Sequence, residues 1–175
     1  MTLDGFCNHD AMIPDEETHQ HFNDLLSNAD TLIYGRTTYQ LMESYWPPIA
    51  KNPTGERVSD EFAVLIDNIS KIVYSHTLKK VDWKNSILKN EIINAEISEL
   101  KQQKGKNILV GSPSLIVALT QMGLIDEYQL VVHPVVLGSG LPLFKNMKER
   151  VDLTLLKTKT FTGRTVALYY ESKRK

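Results

Sequence analysis

Three short apolar runs constrain this chain more than any other feature. "TLIYG" (31–35), "KIVYS" (71–75) and "NILV" (107–110) are rich in β-branched residues, and none alternates apolar with polar residues. Such runs suit strands covered on both faces. Helical patterns lie between and after them: "RTTYQLMES" (36–44), "DEFAVLIDN" (60–68, Asp60 near its cap), "INAEISELKQQKG" (93–105, closed by Gly105) and "SPSLIVALTQMG" (112–123). Strands alternating with helices imply parallel strands joined by helical crossovers.

The flanks complete the pattern. "DEETHQHFNDLLSN" (15–28) reads as a helix with acidic residues in its first turn and Phe22, Leu25 and Leu26 on one face. "YWPPIAKNPTGERV" (45–58) reads as loop from its prolines and glycine. "SIL" (86–88) and "EYQLVVHPVV" are further strands. "DLTLLKTKTFTGRTVALYYE" (152–171) is a pair of runs around Thr162-Gly163, hence a terminal hairpin. The expected fold is one α/β domain over residues 1–175, in three layers. It has a mostly parallel central sheet, flanking helices and a C-terminal antiparallel hairpin.

Charge and cysteine content exclude several classes of function. Twenty basic residues against twenty-one acidic ones leave a net charge of −1, so no field attracts nucleic acid or an anionic membrane. One cysteine, Cys7, forms neither a disulfide framework nor a thiolate zinc site, and this fits a reducing cytoplasm. His19 and His21, two apart on a helix, point to different sides, and no metal site is expected. No apolar run is long enough to span a membrane, and "MTLDGFCNHD" has no signal-peptide pattern. The basic "SKRK" end reads as a frayed, solvated terminus.

The strand ends carry the chemistry. One is "LIYGRTT", a second "VYSHT", a third "LVGSPS". In open α/β sheets ligands bind beyond the carboxyl ends of strands, where helix N-termini offer free N–H groups to phosphate. Arginine and hydroxyl side chains add donors. Each junction has a plainer reading as well: a glycine turn, or in Ser112 a simple helix cap. The dinucleotide fingerprint with three glycines is absent, and "GSG" (138–140) leads into "LPLF" rather than a helix. No acidic residue follows the first two strands to bind a ribose diol. Arg36, Ser75 and His76 stand there instead; if the ligand is a dinucleotide, those groups suit a 2′-phosphate, so NADP rather than NAD.

These residues resemble the family that includes dihydrofolate reductase and the reductase domain of the bifunctional riboflavin-biosynthesis deaminase–reductase, nearest to its small stand-alone members. The resemblance runs through "MTLDGF", "LIYGRTTY", "YWP", "ISKIVYSHTL", "ILVGSPSLI", "IDEYQLVVHPVVLGSGLPLF" and the last hairpin. It implies a dihydrofolate reductase-like fold, an NADPH-dependent oxidoreductase and a cytoplasmic homodimer. Gly35, Arg36, Thr37 and Thr38 would meet the pyrophosphate and adenosine phosphate. Ser75 and His76 would face the 2′-phosphate, and Gly111, Ser112, Pro113, Ser114 and Leu115 would carry a helix N-terminus under the pyrophosphate. The substrate would be a small heteroaromatic or imine-like molecule, pterin- or pyrimidine-like, near Asp4, the first helix and Trp46.

Several positions depart from the family pattern. Gly111-Ser112 replaces a glycine pair that dihydrofolate reductase joins by a cis peptide. Thr18 falls where that enzyme keeps a carboxylate, with Asp15, Glu16 and Glu17 close by as helix-start charges, so no proton donor is assigned. Val110 stands where the riboflavin-type reductases carry a glutamate. A ribosylamino-pyrimidine phosphate reductase and a non-catalytic nucleotide-binding module are the alternatives. Asp4 is either a turn residue or a substrate contact, Trp46 either a pocket wall or a loop anchor, and Phe22 either core or a substrate platform. His133 reads as structural. Family members precede the first turn with a core strand, so upstream residues or another segment are expected to fill that place.

Overall fold

The computed structural model describes residues 1–12 and 15–172. The basic end at 173–175 lies outside them. The chain divides into two compact units. One holds Met1–Thr18 and the chain from Ile116 onward; the other is His19–Leu115. Helices α1 (Glu16–Ser27) and α5 (Pro113–Gln121) each run from one unit into the other.

The second unit is built on a four-stranded parallel sheet. Its strands are β1 (Ala29–Gly35), β2 (Ser70–Tyr74), β3 (Ser86–Lys89) and β4 (Asn107–Val110), in the order β3-β2-β1-β4. β1 is central, and Thr31 through Gly35 are all buried, as an unalternating apolar run requires. Helices α2 (Arg36–Lys51), α3 (Arg57–Asn68) and α4 (Asn94–Gln102) complete the unit. Tyr39, Met42 and Trp46 on α2 and Phe62 and Ile66 on α3 join Leu32, Tyr34 and Val73 in one core cluster. Their spacing on each helix is the i, i+3, i+4, i+7 stripe of an amphipathic helix.

Helix α2 corrects the reading of 45–58 as loop: it continues through Pro47 and Pro48 to Lys51. Each proline forfeits an intrahelical hydrogen bond and costs about 3 kcal/mol against alanine. Packing outweighs that preference. The Trp46 ring lies 4.4 Å from Phe62 and 4.9 Å from Tyr45, which holds the turn on the core. The Asn52 N–H then donates to the Pro48 carbonyl and closes the helix. Helix α3 begins at Arg57, earlier than expected. Asp60, in its first turn, accepts from the Thr54 and Gly55 N–H groups and from the Thr54 hydroxyl, fastening the preceding loop. Helix α4 ends at Gln102 and is not closed by Gly105. A side chain at Gly105 would collide with the Asp30 carboxylate, which accepts the Lys106 N–H at 2.8 Å.

The first unit carries an antiparallel sheet of β5 (Glu127–Val132), β6 (Leu153–Thr160) and β7 (Val166–Ser172), ordered β5-β7-β6. β6 and β7 form the expected hairpin. The Phe161 N–H donates to the Thr165 carbonyl, and Arg164 sits at φ 67° in the turn. Val131, Phe161, Ala167 and Tyr169 make a core cluster in this unit. Met1 and Thr2 run beside the end of β5: the His133 N–H donates to the Met1 carbonyl, and Thr2 bridges His133 in parallel register. Gly123 follows α5 at φ 69°, the left-handed helix end the sequence signals. β4 and β5 each stand at an edge of their own sheet.

Candidate functional site

The parallel register aligns the carboxyl ends of β2, β1 and β4 along one margin of the sheet. Gly35 pairs with Tyr74, and Ile33 pairs with Val110. The three junctions singled out in the sequence therefore stand side by side, with the β1 junction between the other two.

At the β1 junction, Gly35 is the N-cap of α2 in extended conformation, and no side chain caps the helix. The first-turn N–H groups of a helix have no intrahelical partner. Here Arg36 and Thr37 are exposed and Thr38 half-buried around them. At the β4 junction the Gly111–Ser112 peptide is trans, as are all peptide bonds of the described residues. Ser112 corrects the expectation that its hydroxyl caps α5. The hydroxyl oxygen instead accepts the N–H of Gly35 at 2.9 Å, and Ser112 is 2% exposed. The bond ties the ends of adjacent strands. Beside it Gly111 and Ser114 are exposed, Pro113 is half-buried and Leu115 is buried.

At the β2 junction Ser75 is buried and His76 exposed. The Ser75 oxygen accepts from the N–H groups of Thr77 and Leu78, at 3.2 and 3.0 Å. It shapes the turn that presents His76. The margin thus combines an uncapped helix start, an arginine, a histidine and several exposed hydroxyls, the donor set an organic phosphate requires. A hollow of about 280 Å³ opens between Asp30, Ser70, Gly105 and Ile108 at the opposite, amino-terminal margin of the sheet.

Asp4, in the first unit, accepts from the Thr2 hydroxyl at 2.6 Å, from the Gly138 N–H at 2.7 Å and from the Leu137 N–H at 3.0 Å. The Thr2 hydroxyl, followed by the Gly138 N–H, holds its carboxyl below the usual value. Its carboxylate therefore fastens the "LGSG" loop. Asp15 accepts from the Thr18 N–H at 2.7 Å and from the Thr18 hydroxyl, so it caps α1. Thr18 is 2% exposed and bound to Asp15, which leaves that position without an acid.

In the second unit Phe22 is 37% exposed, so it is not core. Trp46 is a half-buried packing residue of α2. His19 lies beside the paired Trp46 and Phe62 rings, 6.2 and 5.3 Å away, and burial lowers its pKa.

Sequence reasoning missed two buried groups. Lys71, 1% exposed, donates to the carbonyls of Ile69 (2.9 Å), Asp67 (3.2 Å) and Lys84 (3.4 Å), with its ammonium 4.3 Å from the Trp83 ring. Tyr39 and Trp83 form a second buried link. A lysine inside an apolar strand run was the one signal for the first; nothing local marks the second.

The model of the RibD C-terminal domain matches residues 1–167, and the chain belongs to that family of reductase domains. The chain is 37% identical over 176 residues to the uncharacterized protein YyaP of Bacillus subtilis, covering 97% of this chain and 90% of that one. A putative riboflavin biosynthesis protein from Shewanella sp. PV-4 superposes with a TM-score of 0.75 at 20% identity, covering 99% of this chain and 95% of that one. A pyrimidine reductase-like protein from Corynebacterium diphtheriae gives 0.67 at 14% identity, covering 99% and 89%. The two structures share the fold, a parallel sheet with flanking helices joined to an antiparallel sheet.

Proposed function

We propose that the protein is an NADPH-dependent reductase that transfers hydride to a small heteroaromatic or imine-like acceptor of pterin or pyrimidine type. The observation that carries this reading is the alignment of the β2, β1 and β4 carboxyl ends on one sheet margin, with α2 starting uncapped at its centre.

NADPH, when bound, supplies the hydride. The chain's own residues bind and orient. The N–H groups of Arg36, Thr37 and Thr38 and the start of α5 at Gly111–Leu115 receive the pyrophosphate. Arg36, Ser75 and His76 take up the ribose phosphate: Arg36 by charge, His76 from its exposed position, Ser75 chiefly by shaping the turn. Phe22 and Trp46 offer aromatic surface to a flat acceptor, and Asp4 shapes the "LGSG" loop. No carboxylic acid stands at Thr18, so a water is the proton source that this reading requires. The same reading has the protein act as a homodimer in the cytoplasm.

The test is NADPH consumption, followed by the absorbance of the reduced nicotinamide, across pterins, diaminopyrimidines and cyclic imines. Oxidation dependent on one of these classes supports the reading. Saturable NADPH binding without turnover of any class would instead mark a nucleotide-binding module. Absence of NADPH binding would overturn both. The name of the Corynebacterium neighbour favours pyrimidines as the first class to try, including a ribosylamino-pyrimidine phosphate.

A further inference from the structure

The segment leaving β2 is fastened at both ends. At its near end the Ser75 hydroxyl holds the turn that presents His76. At its far end stands Trp83, 5% exposed. The Trp83 backbone N–H donates to the hydroxyl of Tyr39 at 3.0 Å, and its indole N–H donates to Asp67 at 2.7 Å. Tyr39 is 1% exposed and lies one helical turn after Arg36 on α2. Its hydroxyl in turn donates to Glu43 at 2.7 Å, so it both accepts and donates within the fold. One buried oxygen therefore ties the helix that carries Arg36 to the segment that carries His76.

We propose that Tyr39 is a positioning residue: the ladder fixes the strand ends, and the Tyr39–Trp83 link fixes the segment that carries His76 against the helix that carries Arg36 and, through it, the preference for a dinucleotide with a ribose phosphate over one without. The inference rests on the cofactor reading above. A phosphate held by groups from two elements requires those elements at a fixed spacing, because charge-assisted hydrogen bonds weaken steeply with misalignment. A bare ribose makes no such demand. Loosening the link therefore weakens the phosphorylated ligand selectively.

Tyr39→Phe keeps the ring and removes the hydrogen bonds of its hydroxyl, including that from the Trp83 N–H. Wild type and variant are titrated calorimetrically with NADPH and with NADH, and amide hydrogen exchange is followed over residues 76–83 without ligand. The expected result is faster exchange over that segment, about a tenfold loss of NADPH affinity (one charge-assisted contact) and NADH affinity unchanged within about twofold. Asp67→Ala, which frees the other side of Trp83, shifts the ratio the same way. Asp67→Asn, which retains an acceptor for the indole, restores it. Equal losses for both dinucleotides, or unchanged exchange and ratio in Tyr39→Phe, overturn the inference while leaving the cofactor reading intact. A wild type with no preference for NADPH overturns that reading and this inference with it.

Discussion

Replacing Ser112 with alanine removes the acceptor of one buried N–H and little else. The hydroxyl oxygen lies 2.9 Å from the Gly35 nitrogen, and Ser112 is 2% exposed. A typical hydrogen bond contributes about 0.5–1.5 kcal/mol, but a buried donor left without a partner costs about 1–3 kcal/mol. The larger range applies, because the Gly35 N–H stays in place. At roughly 3 °C per kcal/mol for a chain of this length, Tm falls by about 3–9 °C. Ser114→Ala, two residues on and exposed, serves as control and stays within about 0.5 kcal/mol of wild type. Urea denaturation with both variants measures the difference at unchanged slope. NADPH affinity is read alongside, and falls in Ser112→Ala as the ends of β1 and β4 lose their tie. A Ser112→Ala protein as stable as Ser114→Ala would refute the assignment of that bond.

Two further outcomes follow from buried or fastened groups. Lys71→Met keeps the volume but leaves the carbonyls of Asp67, Ile69 and Lys84 without their shared donor, so stability falls by about 1–3 kcal/mol by chemical denaturation; an unchanged midpoint would show that the ammonium is not what holds the end of α3. Asp4 has its folded-state carboxyl held below the ordinary value of 3.8, so its stabilising effect is full above that value and is lost as pH falls through the lower folded-state one. A plot of Tm against pH for Asp4→Asn is accordingly flatter on its acid limb than that of wild type, and parallel acid limbs would contradict this.

Much of the second unit was legible because its signals are local. β1, β2 and β4 announce themselves as unalternating apolar runs, and a change of period at Gly35 and Ser112 marks where strand gives way to helix. Parallel order then forces the junctions onto one margin. What stayed hidden depends on distant partners. Pro47 and Pro48 speak for a loop until the Trp46–Phe62 contact is known. Ser112 looks like the cap of its own helix until Gly35, far away in sequence, is seen to use its hydroxyl. Phe22 fits an apolar stripe, yet it stays exposed while the polar Asn23 is buried beside Leu26. Asp4 was readable as a turn residue, but its hold on Leu137 and Gly138 was not. Tyr39 and Trp83 carry no local pattern that pairs them.

The proposed function requires the nucleotide phosphates to bind at the carboxyl margin of the parallel sheet. Backbone amide chemical shifts, followed by NMR as NADPH is added, test it most directly. The account predicts saturable shifts concentrated at Gly35–Thr38, Ser75–Thr77 and Gly111–Leu115. Shifts centred on Asp30, Ser70 and Gly105 at the opposite margin, or none that saturate, would contradict it.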